Sequence, residues 1–127
     1  MRLIVGLLAG LLLTTTLPAE EQQLTLVSSW NRQQNFTDLF MDYVDAVNAA
    51  GKGVVRIDFL GGPEVIPQAQ LMYALRRGVI DLAFGAITYY RGVLPEGDAI
   101  FASTITPAEA RANGGLDALQ PYWRKRI

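Results

Sequence analysis

Apolar and polar positions change their period several times along the 127 residues. Leu24 and Leu26, with Ser28, alternate with Thr25, Val27 and Ser29, which predicts a short strand apolar enough to be buried. From Asn35 the period lengthens. Phe36, Leu39, Phe40, Tyr43, Val44, Val47 and Ala50 recur at spacings of three and four, which predicts one stripe on a helix. Asn35 is expected to cap its start, Asp38 to suit the dipole of its first turn, and Gly51 to supply a left-handed stop. Alternation returns at Val55, Ile57 and Phe59 against Arg56 and Asp58. This second strand is broken by Gly61-Gly62-Pro63-Glu64. A short helix is predicted from Pro67 to Arg77, with Ala69, Leu71 or Met72, and Leu75 inward and Gly78 at its stop. The apolar run Ile80 to Ala86 reads as a third strand. Thr106, Pro107 and Glu109 form a capping-box pattern. A last helix is expected from about Leu116, with Pro121 in its first turns or kinking it.

Strands separated by helices of these lengths pair in parallel into a sheet covered on both faces, so the expected class is α/β. In such a sheet, ligands bind outside the carboxyl ends of the strands. The three strand exits carry Ser28-Ser29-Trp30, Gly61-Gly62-Pro63-Glu64 and Gly85-Ala86-Ile87-Thr88-Tyr89-Tyr90. The two serine hydroxyls and the indole suit one wall of a site for a small polar molecule. They equally suit a ring packed over the first helix with serines starting the turn. Glu64 is a candidate polar contact, or a residue of an ordinary Gly-Pro turn. Tyr89 and Tyr90 are adjacent and cannot both enter the same core, so at least one faces a cavity or solvent. Arg91 suits an anionic ligand or an exposed loop.

Composition narrows the chemistry. The formal net charge is −1 and the basic residues cluster only in the closing Arg-Lys-Arg-Ile, so electrostatic nucleic-acid binding is disfavoured. There is no cysteine and no histidine. That removes a disulfide framework, a thiol nucleophile, a histidine base and the common zinc ligand sets. No metal constellation or cofactor motif is present. Asp42 with Asp45, and Glu96 with Asp98, read as solvated surface and not as an acid/base pair. The N-terminus has Arg2, an apolar core from Leu3 to Leu13, a polar Thr14-Thr15-Thr16 and small Ala19 before two acids. It reads as a secretory signal, residues 1–19, because the apolar core is too short for a bilayer of about 30 Å. Cleavage after Ala19 removes Arg2 alone among the charges, turning 11 basic against 12 acidic residues into 10 against 12. The expected product is a periplasmic, monomeric protein.

The stretches Leu24–Trp30, Phe36–Glu64 and Ala74–Pro95 together resemble the substrate-binding proteins of tripartite ATP-independent periplasmic (TRAP) transporters, the DctP-like family. The first strand entering a serine-tryptophan turn, the helix ending Ala-Ala-Gly-Lys-Gly, the strand Val-Val-Arg-Ile-Asp-Phe-Leu-Gly-Gly-Pro-Glu and the run Leu-Arg-Arg-Gly-Val-Ile-Asp-Leu-Ala-Phe-Gly-Ala-Ile-Thr-Tyr-Tyr carry the resemblance. Their order and spacing hold from residue 22 to about residue 110. The resemblance implies a two-lobed receptor of the type II-like periplasmic-binding-protein fold, with residues 20–127 as an incomplete first lobe. It implies a small organic acid as ligand and the membrane permease subunits of a TRAP transporter as partner. It places Ser28, Ser29, Trp30, Glu64, Ala86, Tyr89 and Tyr90 at first-lobe pocket positions. The arginine that grips the ligand carboxylate in this family is expected beyond Ile127, so tight binding is expected only of a longer chain. The lack of Cys, His and a catalytic set argues for a receptor rather than an enzyme. The alternatives are a secreted α/β enzyme working with carboxylates, or a fragment of one, and a receptor for an ABC transporter.

Overall fold

The computed structural model describes residues 20–127. The signal sequence read at residues 1–19 lies outside them. Three strands, β1 (Gln22–Ser28), β2 (Val55–Gly61) and β3 (Leu82–Phe84), form one parallel sheet in the order β2-β1-β3. Helix α1 (Asn35–Ala50) connects β1 to β2, and α2 (Gln68–Arg76) connects β2 to β3. The class is therefore α/β with a parallel sheet flanked by helices, as the alternation of periods predicts.

β1 is the central strand, and its two faces feed two cores. Leu26 packs with Met41 and Val44 of α1 and Ile57 of β2. Val27, pointing the other way, packs with Leu71 and Met72 of α2, Ile80, Tyr90, Val93 and Leu94. One helix thus covers each face of the sheet. Burying a large aliphatic side chain contributes roughly 1.5–3 kcal/mol, so the alternation Leu26/Val27 ties both layers to one strand. The carboxylate of Asp81 fixes the entry to β3: it accepts from the Thr25 amide at 2.8 Å and the Thr25 hydroxyl at 2.7 Å. Those bonds, the amide first, hold its pKa below the ordinary carboxylate value.

Several expectations need correction. The inward stripe of α1 is rotated: Thr37, Met41 and Val44 are buried, while Phe36, Leu39 and Tyr43 are 64%, 69% and 59% exposed. The apolar arc of this helix is wider than the sheet beneath it, and only the edge with Phe40 and Val47 shares the core. Asn35 is the first helical residue and not the cap; Gln34 precedes it and makes no side-chain cap bond. Gly51 ends α1 with φ −88°, and the left-handed residue is Gly53, at φ +80°. Gly78, at φ +67°, does follow α2 as a left-handed stop. Ala69 is exposed, and the inward residues of α2 are Leu71 and Met72 with Leu75 beside them. β3 is shorter than Ile80–Ala86 because the chain leaves the ladder at Gly85.

After β3 the chain forms a 3-10 turn at Ile87–Tyr90, another at Pro95–Gly97, and helices α3 (Asp98–Ala102), α4 (Pro107–Ala112) and α5 (Gly115–Trp123), with Pro121 inside α5. The capping box of α4 forms as read: Thr106 accepts from the Glu109 amide, and Glu109 accepts from the Thr106 amide at 2.7 Å. Glu96 and Asp98 are not free surface acids. Arg126 of the closing basic run reaches back across the fold to Glu96 at 2.8 Å, and Arg91 bonds Asp98 at 2.7 Å. Among the described residues, no helix is long and apolar enough to cross a membrane.

Candidate functional site at the strand exits

From β1 the chain passes through α1 to β2 on one side and then crosses through α2 to β3 on the other, so the carboxyl edge between β1 and β3 is the switch point at which open α/β sheets bind ligands. The register sets the partners there. Ser28 pairs with Phe84, and the Ser29 amide donates to the Phe84 carbonyl at 2.7 Å. On the other side Val27 pairs with Gly61, after the register skips Leu60. This bulge locally bends β2.

The seven candidate residues do come to this edge, in different roles. Ser28 is fully buried, and its hydroxyl accepts from the Trp30 amide at 3.0 Å, so it shapes the turn. Ser29 is buried too, and its hydroxyl is bonded to the Tyr90 hydroxyl. The two adjacent tyrosines divide as their sequence requires: Tyr90 is 5% exposed and Tyr89 48%. Burial raises the Tyr90 pKa above the ordinary phenol value, with the Ser29 bond acting in the opposite sense. Ala86 starts the 3-10 turn, its carbonyl accepting from the Tyr89 amide at 3.0 Å.

Trp30 is half-buried at the centre of an aromatic group. Its ring centroid lies 5.6 Å from that of Phe36, 5.3 Å from Phe84 and 6.1 Å from Tyr89, the last two edge-to-face. Phe84 stacks on Phe40 at 3.9 Å. One side of Trp30 thus covers the first helix, and the other meets the exposed Tyr89 at the sheet edge. Glu64 is exposed and turns back on its own loop, accepting from the Gly62 amide at 2.6 Å. That bond and a second from its own amide keep it below the ordinary carboxylate pKa, so it is ionised at neutral pH. Gly62 in turn lies against Trp30; an ideal Cβ there would stand 2.6 Å from the Trp30 carbonyl oxygen. Arg91 is drawn away to Asp98.

Two residues that sequence reasoning did not single out matter here. Gly85, just past β3, lies close against the β1 exit: an ideal Cβ would meet the Ser29 hydroxyl oxygen at 2.1 Å and that of Tyr90 at 2.9 Å. The glycine following Phe84 is the only sign of this in the sequence. Thr37 is fully buried on α1, and its hydroxyl has no partner. A polar residue four before Met41 and seven before Val44, on an otherwise apolar face, was a legible signal.

A separate hollow of about 530 Å³ lies among α3, α4 and α5, lined by residues such as Phe101, Ile105, Leu116 and Leu119. It is apolar, none of its lining residues belongs to the strand exits, and it offers no convergent polar groups to orient a ligand. Among the described residues, no group of three acidic side chains is gathered to hold a metal. At the strand exits the geometry provides two aromatic faces, a buried hydroxyl pair and one carboxylate, which suit holding a small molecule. The chain matches no family model.

Proposed function

We propose that the protein is an extracytoplasmic solute receptor of a TRAP transporter, binding a small organic acid in the periplasm and delivering it to the membrane permease. The α/β layers would then be the first lobe of a two-lobed receptor. The strand-exit edge, with Ser28, Ser29, Trp30, Glu64, Ala86, Tyr89 and Tyr90, would be that lobe's side of the pocket. The observation that carries this reading is the joining of the β1 and β3 exits through Ser29 and Tyr90, which leaves Trp30 and Tyr89 facing each other at the switch point. A rigid aromatic pair over a fixed backbone is what a binding wall requires. The resemblance in sequence order supplies the ligand class and the partner.

The test is thermal melting in the presence of mono- and dicarboxylates at millimolar concentration, with the ligand assayed for conversion afterwards. A receptor is stabilised in proportion to the logarithm of ligand excess and leaves the ligand unchanged. Conversion would assign the protein to the carboxylate enzymes, and no shift with any carboxylate in a chain that carries both lobes would refute the receptor reading.

A further inference from the structure

The loop that leaves β2 brings two oxygen acceptors together beside the exit of β1. Gly61, at φ +139°, and Gly62 are both buried there, and neither has room for a side chain. An ideal Cβ on Gly62 would stand 2.6 Å from the Trp30 carbonyl oxygen and 3.0 Å from Oε2 of Glu64, so those two oxygens are neighbours. Among the described residues no backbone amide donates to the Trp30 carbonyl. Oε1 of Glu64 takes the Gly62 amide at 2.6 Å, and no cation among the described residues pairs with the carboxylate.

The strand exits therefore present a negative charge without a counter-ion. The arginines that flank them in sequence are engaged elsewhere: Arg91 is 2.7 Å from Asp98, and Arg32 lies over the Phe59 ring with Asp38 at 4.0 Å. Backbone amides keep Glu64 ionised at neutral pH. The ring faces of Trp30 and Tyr89 carry partial negative charge and also favour a cation over an anion. A calcium ion takes about six to eight oxygen ligands, more than converge here. An ammonium group is positive, carries only donors and needs few acceptors, so a carboxylate beside a bare carbonyl suits it.

We propose that Glu64 and the Trp30 carbonyl form an ammonium subsite, so that the organic acid this receptor takes is an amino acid. This rests on the receptor reading and gives the ligand an orientation. Its ammonium group lies at the loop after β2, its body toward Trp30 and Tyr89, and its carboxylate toward the facing lobe. Specificity follows from the same contact. An acid of the same skeleton without the ammonium group would close over Glu64 and leave that charge desolvated and unpaired, which is how a polar site rejects an analogue that lacks the donor.

Isothermal titration at neutral pH, on a chain that carries both lobes, tests the assignment with ligands matched in skeleton. The series are phenylalanine, 3-phenyllactate and 3-phenylpropionate; alanine, lactate and propionate; and aspartate, malate and succinate. In the series that binds, the amino acid should bind about tenfold or more tighter than its hydroxy and unsubstituted partners, the worth of a hydrogen bond between charged groups. Glu64→Gln keeps an oxygen for the Gly62 amide and loses the charge, and it should cut that preference by a similar factor. A hydroxy or unsubstituted acid that binds as tightly as its amino acid, or a preference that survives Glu64→Gln, would overturn the ammonium subsite and leave the receptor reading intact. No binding in any series would overturn both.

Discussion

Replacing Gly85 with alanine puts the packing of the strand-exit edge under the most direct strain. The added methyl would lie 2.1 Å from the Ser29 hydroxyl oxygen, 3.0 Å from the Ser29 Cβ and 2.9 Å from the Tyr90 hydroxyl oxygen. Ser29 is 2% exposed and its amide is held by the Phe84 carbonyl, so it cannot swing into solvent. Relief must come from separating β1 from β3, which breaks the Ser29–Tyr90 hydrogen bond. Overpacking a core site costs about 1–3 kcal/mol, and a lost hydrogen bond about 0.5–1.5 kcal/mol more. A total of about 2–4 kcal/mol is a large share of the roughly 5–15 kcal/mol that holds a domain together. The melting temperature should fall on the order of 10 °C. Urea denaturation followed by circular dichroism measures this, with Gly92→Ala as the control. At Gly92 the nearest atom to an ideal Cβ is the Tyr73 hydroxyl oxygen at an ordinary 3.7 Å, and a change within about 0.5 kcal/mol is expected. A Gly85→Ala protein as stable as its parent would refute the close approach of β1 and β3.

Three further outcomes follow from individual contacts. Asp81 and Glu109 have folded pKa values below their ordinary ones, so their contribution is present above the unfolded value of about 4 and is lost as pH falls through the folded value. The denaturation midpoint should drop in that acid range, and less steeply in Asp81→Asn. Tyr90 has the opposite sign: its raised pKa gives stability that is present below about pH 10 and lost as pH rises through the folded value. Tyr90→Phe should flatten that alkaline loss while costing about 0.5–1.5 kcal/mol at neutral pH, read from the same denaturation curves. Thr106→Ala removes the α4 cap and about 1 kcal/mol of local stability. Because α4 buries no residue, faster amide exchange within α4 should reveal the loss while global unfolding barely changes.

The alternation of periods made the sheet layers legible, since a strand buried on both faces must show apolar residues at successive positions, as Leu26 and Val27 do. The capping box was legible because its two reciprocal bonds depend on residues three apart. The phase of α1 was not. Its seven apolar positions span more of the helix circumference than the sheet can cover, and burial of Thr37 and Met41 depends on where β2 and β3 lie. The candidate site was legible as an edge, through the polar and aromatic strand exits. Its internal division was only partly so: the sequence required Tyr89 and Tyr90 to part, but which one enters the core depends on the reach of the Ser29 hydroxyl. Glu96 was misread as solvated because its partner Arg126 is set by the return of the C-terminal helices, and Asp98 because Arg91 reaches it across the turn at Pro95.

Emission from Trp30, recorded in a chain that carries both lobes and the Trp123→Phe substitution and titrated with small carboxylates, tests the central claim most directly. Trp30 half faces the proposed pocket and touches Tyr89, so a ligand seated at the switch point must alter its surroundings. The account predicts a saturable change in emission that Tyr89→Ala weakens by about 1–3 kcal/mol in binding free energy. Emission indifferent to every carboxylate, or a response unchanged by Tyr89→Ala, would contradict it.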